Sequence, residues 1–192
     1  MTTTSVRTRR WKRVEYEQLI EKGIFQPGER LELVAGELVV REPQGTPHIT
    51  AIRMVEEALR EAFGAGWEVR SQAPVALDED SEPEPDVTVA RGTLWDYRYA
   101  HPSEPALLVE VAEASLDFDR RHKGSLYARA RAPEYWIVNL VERVLDVYGE
   151  PVLAPEAHYG WRYRAVTTLQ GRDFIAPLAA PHTRIAVADL LP

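Results

Sequence analysis

The sequence predicts an α/β fold, a mixed sheet held between helices, and three observations predict it. Residues 48–63 (HITAIRMVEEALREAF) repeat Ile52, Val55, Leu59 and Phe63 at helical spacing. Residues 106–112 (ALLVEVA) are almost continuously apolar, as expected of a central strand covered on both faces. Around them the chain reads helix, three or four short strands, helix, strand, the alternation that builds sheets between helices.

The elements follow in order. Residues 13–22 read as a short helix closed by Gly23. In RLELVAGELVVRE two alternating segments flank Ala35-Gly36, which predicts a hairpin. The helix at 48–63 ends at Gly64 and Gly66, and strands are expected at 67–71, 74–77, 86–90 and 106–112. Residues 117–131 read as a helix with Asp117 as N-cap and Pro133 enforcing its end. EYWIVNL (134–140) and VLDVYG (144–149) read as a strand pair. The proline-punctuated remainder predicts edge strands and loops, and the N-terminal hairpin and C-terminal strands are expected to extend the sheet.

The length of 192 residues suits one domain spanning the chain, with residues 1–12 as a flexible basic arm. The absence of cysteine excludes disulfides and thiolate metal sites and fits a cytoplasmic protein. No apolar core follows the basic N-terminal stretch, so no signal peptide is expected. No run approaches the roughly 20 apolar residues of a membrane span. A net charge of −7 argues against a general DNA coat. Charge is nonetheless local: Arg7, Arg9, Arg10, Lys12 and Arg13 cluster at the start, Arg120, Arg121, Lys123, Arg129 and Arg131 further on, and six acids crowd residues 78–86. Basic faces beside an acidic pocket suit a metal-dependent site on a phosphate backbone; ordinary solvated charge is the plainer reading.

Two carboxylates stand out. Asp86 follows Pro85 and opens a strand, and Glu110 interrupts the apolar run 107–111. A charge in such a strand costs several kcal/mol unless paired, hydrated or bound to a cation. Carboxylates on neighbouring strands can share a hard divalent ion, Mg²⁺ or Mn²⁺. Hydrolysis at such an ion also wants a cation near the scissile group. Two residues past Glu110 the chain has Ala112, but Lys123 lies on the next helix, four residues after Asp119 and on its face. Taken singly, these residues read as a cap and surface pairs; together they point to a site.

These segments resemble the Uma2 family (DUF820) of restriction-endonuclease-like proteins in the PD-(D/E)XK nuclease superfamily. The resemblance runs from about Arg30 to Tyr148, through RLELVAGELV, His48 at a helix start, EPDVTV, ALLVEVAEAS, Asp119 with Lys123, and YARARAPEYWIVN followed by VLDVY. It implies a restriction-endonuclease-like αβββαβ core and a metal-dependent endonuclease acting on nucleic acid, with DNA the expected substrate. It implies Mg²⁺ or Mn²⁺ on Asp86, Glu110 and the Val111 carbonyl, with Lys123 as the displaced lysine. Glu37 matches a recurrent family acid and is preferred to its neighbour Glu32 in the hairpin; His48 matches as a phosphate or proton-transfer contact. Arg120 and Arg121 are expected on the substrate backbone. Cutting two strands makes a homodimer an expectation. The chain departs from the family in reading AEAS after Glu110, where a serine-proline phrase is usual. The alternative reading keeps the fold as a catalytically inactive DNA-binding or assembly module. A two-carboxylate glycosidase, with Tyr159, Trp161 and Tyr163 stacking on sugar, fits less, since those positions alternate as strand packing does.

Overall fold

The computed structural model describes residues 8–192. Helix α1 (Arg13–Glu21) ends at Gly23, whose φ of 62° suits a residue without a Cβ. Strands β1 (Leu31–Val34) and β2 (Glu37–Val40) form the hairpin expected at Ala35-Gly36. Helix α2 (Thr46–Phe63) starts two residues earlier than its periodicity suggests, with Pro47 tolerated in the first turn. Then come β3 (Trp67–Ser71), β4 (Val87–Arg91) and β5 (Pro105–Ala112). The second helical segment is composite: α3 (Leu116–Phe118), a π-helical turn (Asp119–Lys123) and α4 (Gly124–Arg129). Strands β6 (Glu134–Asn139), β7 (Val144–Leu153) and β8 (Trp161–Gln170) follow, then β9 (Phe174–Ile175), β10 (Ile185–Ala186) and a 3₁₀ turn (Val187–Leu190).

The six-stranded sheet runs β3-β4-β5-β6-β7-β8, antiparallel except for the parallel pair β5–β6, and so is mixed as expected. Strand β5 lies inside it, and period-two alternation divides its side chains between two cores. Leu107, Val109 and Val111 pack with Ile52, Val55 and Leu59 of α2. Leu108 and Ala112 face the opposite core with Leu126, Tyr127 and Tyr135. Glu110 shares the parity of Leu108 and Ala112, so it is turned toward the side of α4.

Several expectations are corrected. Residues 74–77 are not a strand: Val75 donates to the Pro83 carbonyl and Ala76 to that of Pro102, so the segment lacks a continuous partner ladder. The β1–β2 hairpin does not extend the main sheet. It is a separate two-stranded sheet, bridged at Leu33–Glu82, because its backbone meets the 78–86 loop rather than a strand edge. At the C-terminal side β8 does extend the sheet, whereas β9 and β10 pair only with each other. Asp117 is not the N-cap; Ser115 occupies that position and Asp117 pairs with Arg121 in solvent. Helicity stops at Arg129, and Arg131 takes a φ of 59° before Pro133.

Of the expected arm, residues 1–7, including Arg7, lie outside the described residues. Arg9 pairs with Glu15, Arg10 donates to the Ala35 carbonyl at 2.8 Å, and Trp11 donates to the Gly36 carbonyl at 2.9 Å. This end of the expected arm is therefore bound to the domain by partners it meets in α1 and the hairpin. The acids of residues 78–86 are largely answered: Arg129 holds Asp78 and Asp80, Lys12 holds Glu79, and Arg30 and Arg41 hold Glu84. Tyr163 is buried and donates to the Ala132 carbonyl, which makes it a packing residue. Among the described residues no helix is long and apolar enough to cross a membrane.

Candidate active site

Asp86 is fixed by the end of the 78–86 loop, immediately before β4. Its Oδ2 accepts from the Val111 amide of β5 at 2.9 Å and lies 3.2 Å from Nε2 of His48 on α2. Its Oδ1 accepts from Arg41 at 3.0 Å and Gln44 at 3.2 Å. Gln44 is oriented in turn by Gln72, which donates to its Oε1 at 2.7 Å. Burial alone would raise this carboxyl. The hydrogen bond and charge of His48, the Val111 amide and the Arg41 guanidinium outweigh it and hold Asp86 below the usual carboxylate range.

On the neighbouring strand, Oε1 of Glu110 accepts from Tyr127 at 2.5 Å and from Nζ of Lys123 at 3.1 Å. The Lys123 ammonium also donates to Oε2 of Glu32 at 2.7 Å, and that oxygen accepts the Glu84 amide at 2.9 Å. Lys123, Glu32 and Glu110 are all buried. Burial opposes a charged lysine, yet the adjoining Glu110 and Glu32 raise its pKa and keep it protonated. Burial pushes Glu110 up, against the attraction of Lys123 and with the repulsion of Asp86 and Glu32. Asp119, buried near Glu110 and accepting from Ser115 at 2.6 Å, is raised well above the carboxylate range, chiefly by burial.

Asp86, Glu110, Val111, Lys123 and His48 thus line one cavity of about 380 Å³, together with Glu32, Arg41, Gln44 and Asp119. The π-helical turn helps to assemble it. A π-turn is wider than an α-turn, and this one closes with the Gly124 amide donating to the Asp119 carbonyl. Asp119 and Lys123 are the two buried residues of the turn, while Arg120 and Arg121 line a different cavity beside Tyr148 and Trp161.

Three expected residues are not brought to this cavity. Glu37 shares a hairpin face with Glu32, because Val34 pairs with Glu37 and Glu32 with Val39. It stands one pleat repeat nearer the turn, in solvent, with Arg10 at 3.9 Å; Glu32 is the hairpin acid of the site. Arg120 is engaged by Asp146 at 2.8 Å and Glu142 at 3.5 Å, and Arg121 by Asp117 at 2.8 Å, so neither points at the carboxylates. Sequence reasoning missed Arg41 and Gln44. The available signal was the density of acids at 78–86, which demands buried cations, and Arg41 directly follows the apolar strand opposite them.

A model of the Uma2 family, described as "Putative restriction endonuclease", matches residues 13–188. Among solved structures, a crystal structure of "a putative nuclease belonging to DUF820" from Anabaena variabilis is similar, with a TM-score of 0.59 at 13% identity. That match covers 84% of this chain and 89% of the other, and the likeness is one of fold. No curated protein matches the sequence.

Proposed function

Because this chain belongs to the Uma2 family, we propose that it is a metal-dependent endonuclease that hydrolyses phosphodiester bonds in DNA. The observation that carries this reading is the convergence of Asp86, Glu110 and Lys123, from separate elements, in one cavity. The donor set suits Mg²⁺ or Mn²⁺: the oxygens are hard, and Val111, whose carbonyl is a further oxygen donor, lines the same cavity. Among the described residues no three His, Cys, Asp or Glu side chains converge tightly enough to form a cage. Asp86 and Glu110 would therefore hold the ion together with that carbonyl and substrate oxygens, in the manner of Mg²⁺ sites that use one or two carboxylates. When bound, such an ion polarises the phosphoryl oxygen and lowers the pKa of water.

The chain's own groups do the rest. Lys123 presents a permanent positive charge where negative charge develops on the phosphoryl oxygens. Glu32 fixes that ammonium from the far side. Arg41, Gln44 and His48 orient the Asp86 carboxylate. A homodimer would supply two such sites for two strands, which sedimentation tests.

Cleavage of linear, single-stranded and branched DNA with Mg²⁺ or Mn²⁺ is the direct measurement. Activity that disappears in EDTA and in Glu110→Gln is expected; an active Glu110→Gln protein overturns the site. One observation favours the second reading, an inactive module: four protein donors already surround Asp86. That reading requires nucleic-acid or partner binding indifferent to EDTA, and no calorimetric heat with Mn²⁺.

A further inference from the structure

The connection from β4 to β5, residues 92–104, lies at the end of β4 remote from Asp86, about 20 Å away at the rise of a strand. It exposes three large apolar side chains, Leu94 (65%), Trp95 (70%) and Tyr99 (91%). Such exposure opposes the usual burial of rings, and the loop is built to hold it. Both the amide and hydroxyl of Thr93 donate to Asp96 at 2.8 Å, and the Tyr97 hydroxyl donates to the Arg91 carbonyl at 2.5 Å. Gly92 takes a φ of 125°, and a Cβ there would meet the Asp96 carboxylate at 3.0 Å, so the turn depends on glycine.

Guanidinium groups are interleaved with the rings. Arg91 lies over Trp67 at 4.6 Å, Arg98 over Tyr99 at 5.0 Å, and Arg70 beneath the loop over Tyr97 at 5.6 Å. Among the described residues none of these three arginines is ion-paired; of the two acids in the loop, Asp96 is occupied by Thr93 and Glu104 stands at its other end, directly before β5. Arg120, Arg121 and Arg129, by contrast, each hold a carboxylate. On a chain of net charge −7, this edge keeps its cations available for an outside anion.

We propose that the 92–104 loop is a second nucleic-acid contact, where a single-stranded stretch stacks bases on Trp95 and Tyr99 while Arg91 and Arg98 take its phosphates. Exposed rings flanked by arginine are the chemistry that sequence-tolerant single-strand binding uses. At a rise of about 3.4 Å per nucleotide, a strand leaving the carboxylate cavity would reach the loop within roughly six nucleotides. The inference rests on the nuclease reading, because it supposes a nucleic-acid substrate.

The test is fluorescence anisotropy with labelled single-stranded and duplex DNA, in EDTA so that nothing is cut. The Trp95→Ala/Tyr99→Ala protein is expected to bind single strands about tenfold more weakly or worse, with Trp95→Phe/Tyr99→Phe close to wild type. Arg91→Gln/Arg98→Gln is expected to flatten the logarithmic salt dependence by roughly 0.7 per arginine. Hydrolysis of bis(p-nitrophenyl) phosphate, too small to reach the loop, should be the same in wild type and the alanine variant. Unchanged single-strand affinity in the alanine variant overturns the loop's role while DNA cleavage by wild type leaves the nuclease reading standing. A wild type that neither binds nor cleaves any DNA overturns both. Self-association lost in the alanine variant, with DNA affinity intact, overturns the proposal in favour of a contact between copies of this chain.

Discussion

The ammonium of Lys123 sits between two buried carboxylates, and removing one partner of such an arrangement typically costs about 3–5 kcal/mol. Glu32→Ala strips Lys123 of its shorter bond and leaves the Glu84 amide without its acceptor. A loss of roughly 3 kcal/mol in urea unfolding is expected, together with weakened cleavage. Glu37→Ala should remain within about 0.5 kcal/mol of wild type and cut normally. The reverse ranking would return the hairpin's role to Glu37. Glu82 makes a separate, pH-dependent contribution. It is 2% exposed, and its Oε2 has no hydrogen-bond partner among the described residues, Arg13 lying 3.9 Å away. Burial, with the nearby Glu17 adding to it, raises its pKa from 4.5 to about 7. The folded state therefore holds this proton more tightly than the unfolded chain. Its contribution to stability is complete below about pH 4.5 and is lost as pH rises through 7. Glu82→Gln should melt higher than wild type at pH 8, by up to about 3 kcal/mol, and nearly alike at pH 4.5. Parallel melting curves at the two pH values would contradict the assignment.

At the scale of elements, the π-turn at Asp119–Lys123 decides which side chains enter the cavity. Deleting Arg121, whose side chain is in solvent, should relax the turn to α-helical winding. Helical circular dichroism is expected to persist while Mn²⁺ binding and cleavage fall, since the spacing of Asp119 and Lys123 against Glu110 and Glu32 is changed. Retained activity would mean that the wider turn is incidental. This turn was illegible in the sequence: Asp119 and Lys123 are spaced as an α-helical surface pair would be, and the extra backbone width leaves no residue signature. Strand β5 was legible because an uninterrupted apolar run has few other uses, and Glu110 stood out for the same reason. The 74–77 segment misled because PVAL is a short apolar run of strand length, whereas its hydrogen bonds go to separate loop carbonyls. The choice between Glu32 and Glu37 was beyond pattern alone, because the two acids share a hairpin face and only the packing of the hairpin against β5 and the π-turn separates them.

For the whole molecule, the testable quantity is how strongly a divalent ion holds the fold together. Asp86 and Glu110 repel each other across neighbouring strands, and each raises the cost of the other's charge. A ligand that binds only the folded state stabilises it by mass action, about 2.7 kcal/mol at a concentration 100 times its Kd. Mn²⁺ should therefore raise the melting temperature of wild type and leave that of Asp86→Asn unmoved; equal shifts would place binding elsewhere. Charge pairing across the molecule was only partly legible. Composition disclosed clustered acids and bases, but not that Arg41, Arg129 and Lys12 would close on residues 78–86.

The hydrogen bond between Glu32 and Lys123 joins residues 91 positions apart, and that between Asp86 and Arg41 spans 45. Contacts so distant along the chain form late in folding, after the loops between them have closed. During synthesis the hairpin, α2 and the acid-rich loop leave the ribosome well before Lys123 does. A nascent chain halted after β5 carries both proposed metal ligands without the cation beside them. The proposed site is thus incomplete until nearly two-thirds of the chain has been made, and it is assembled only with the closing of the tertiary structure.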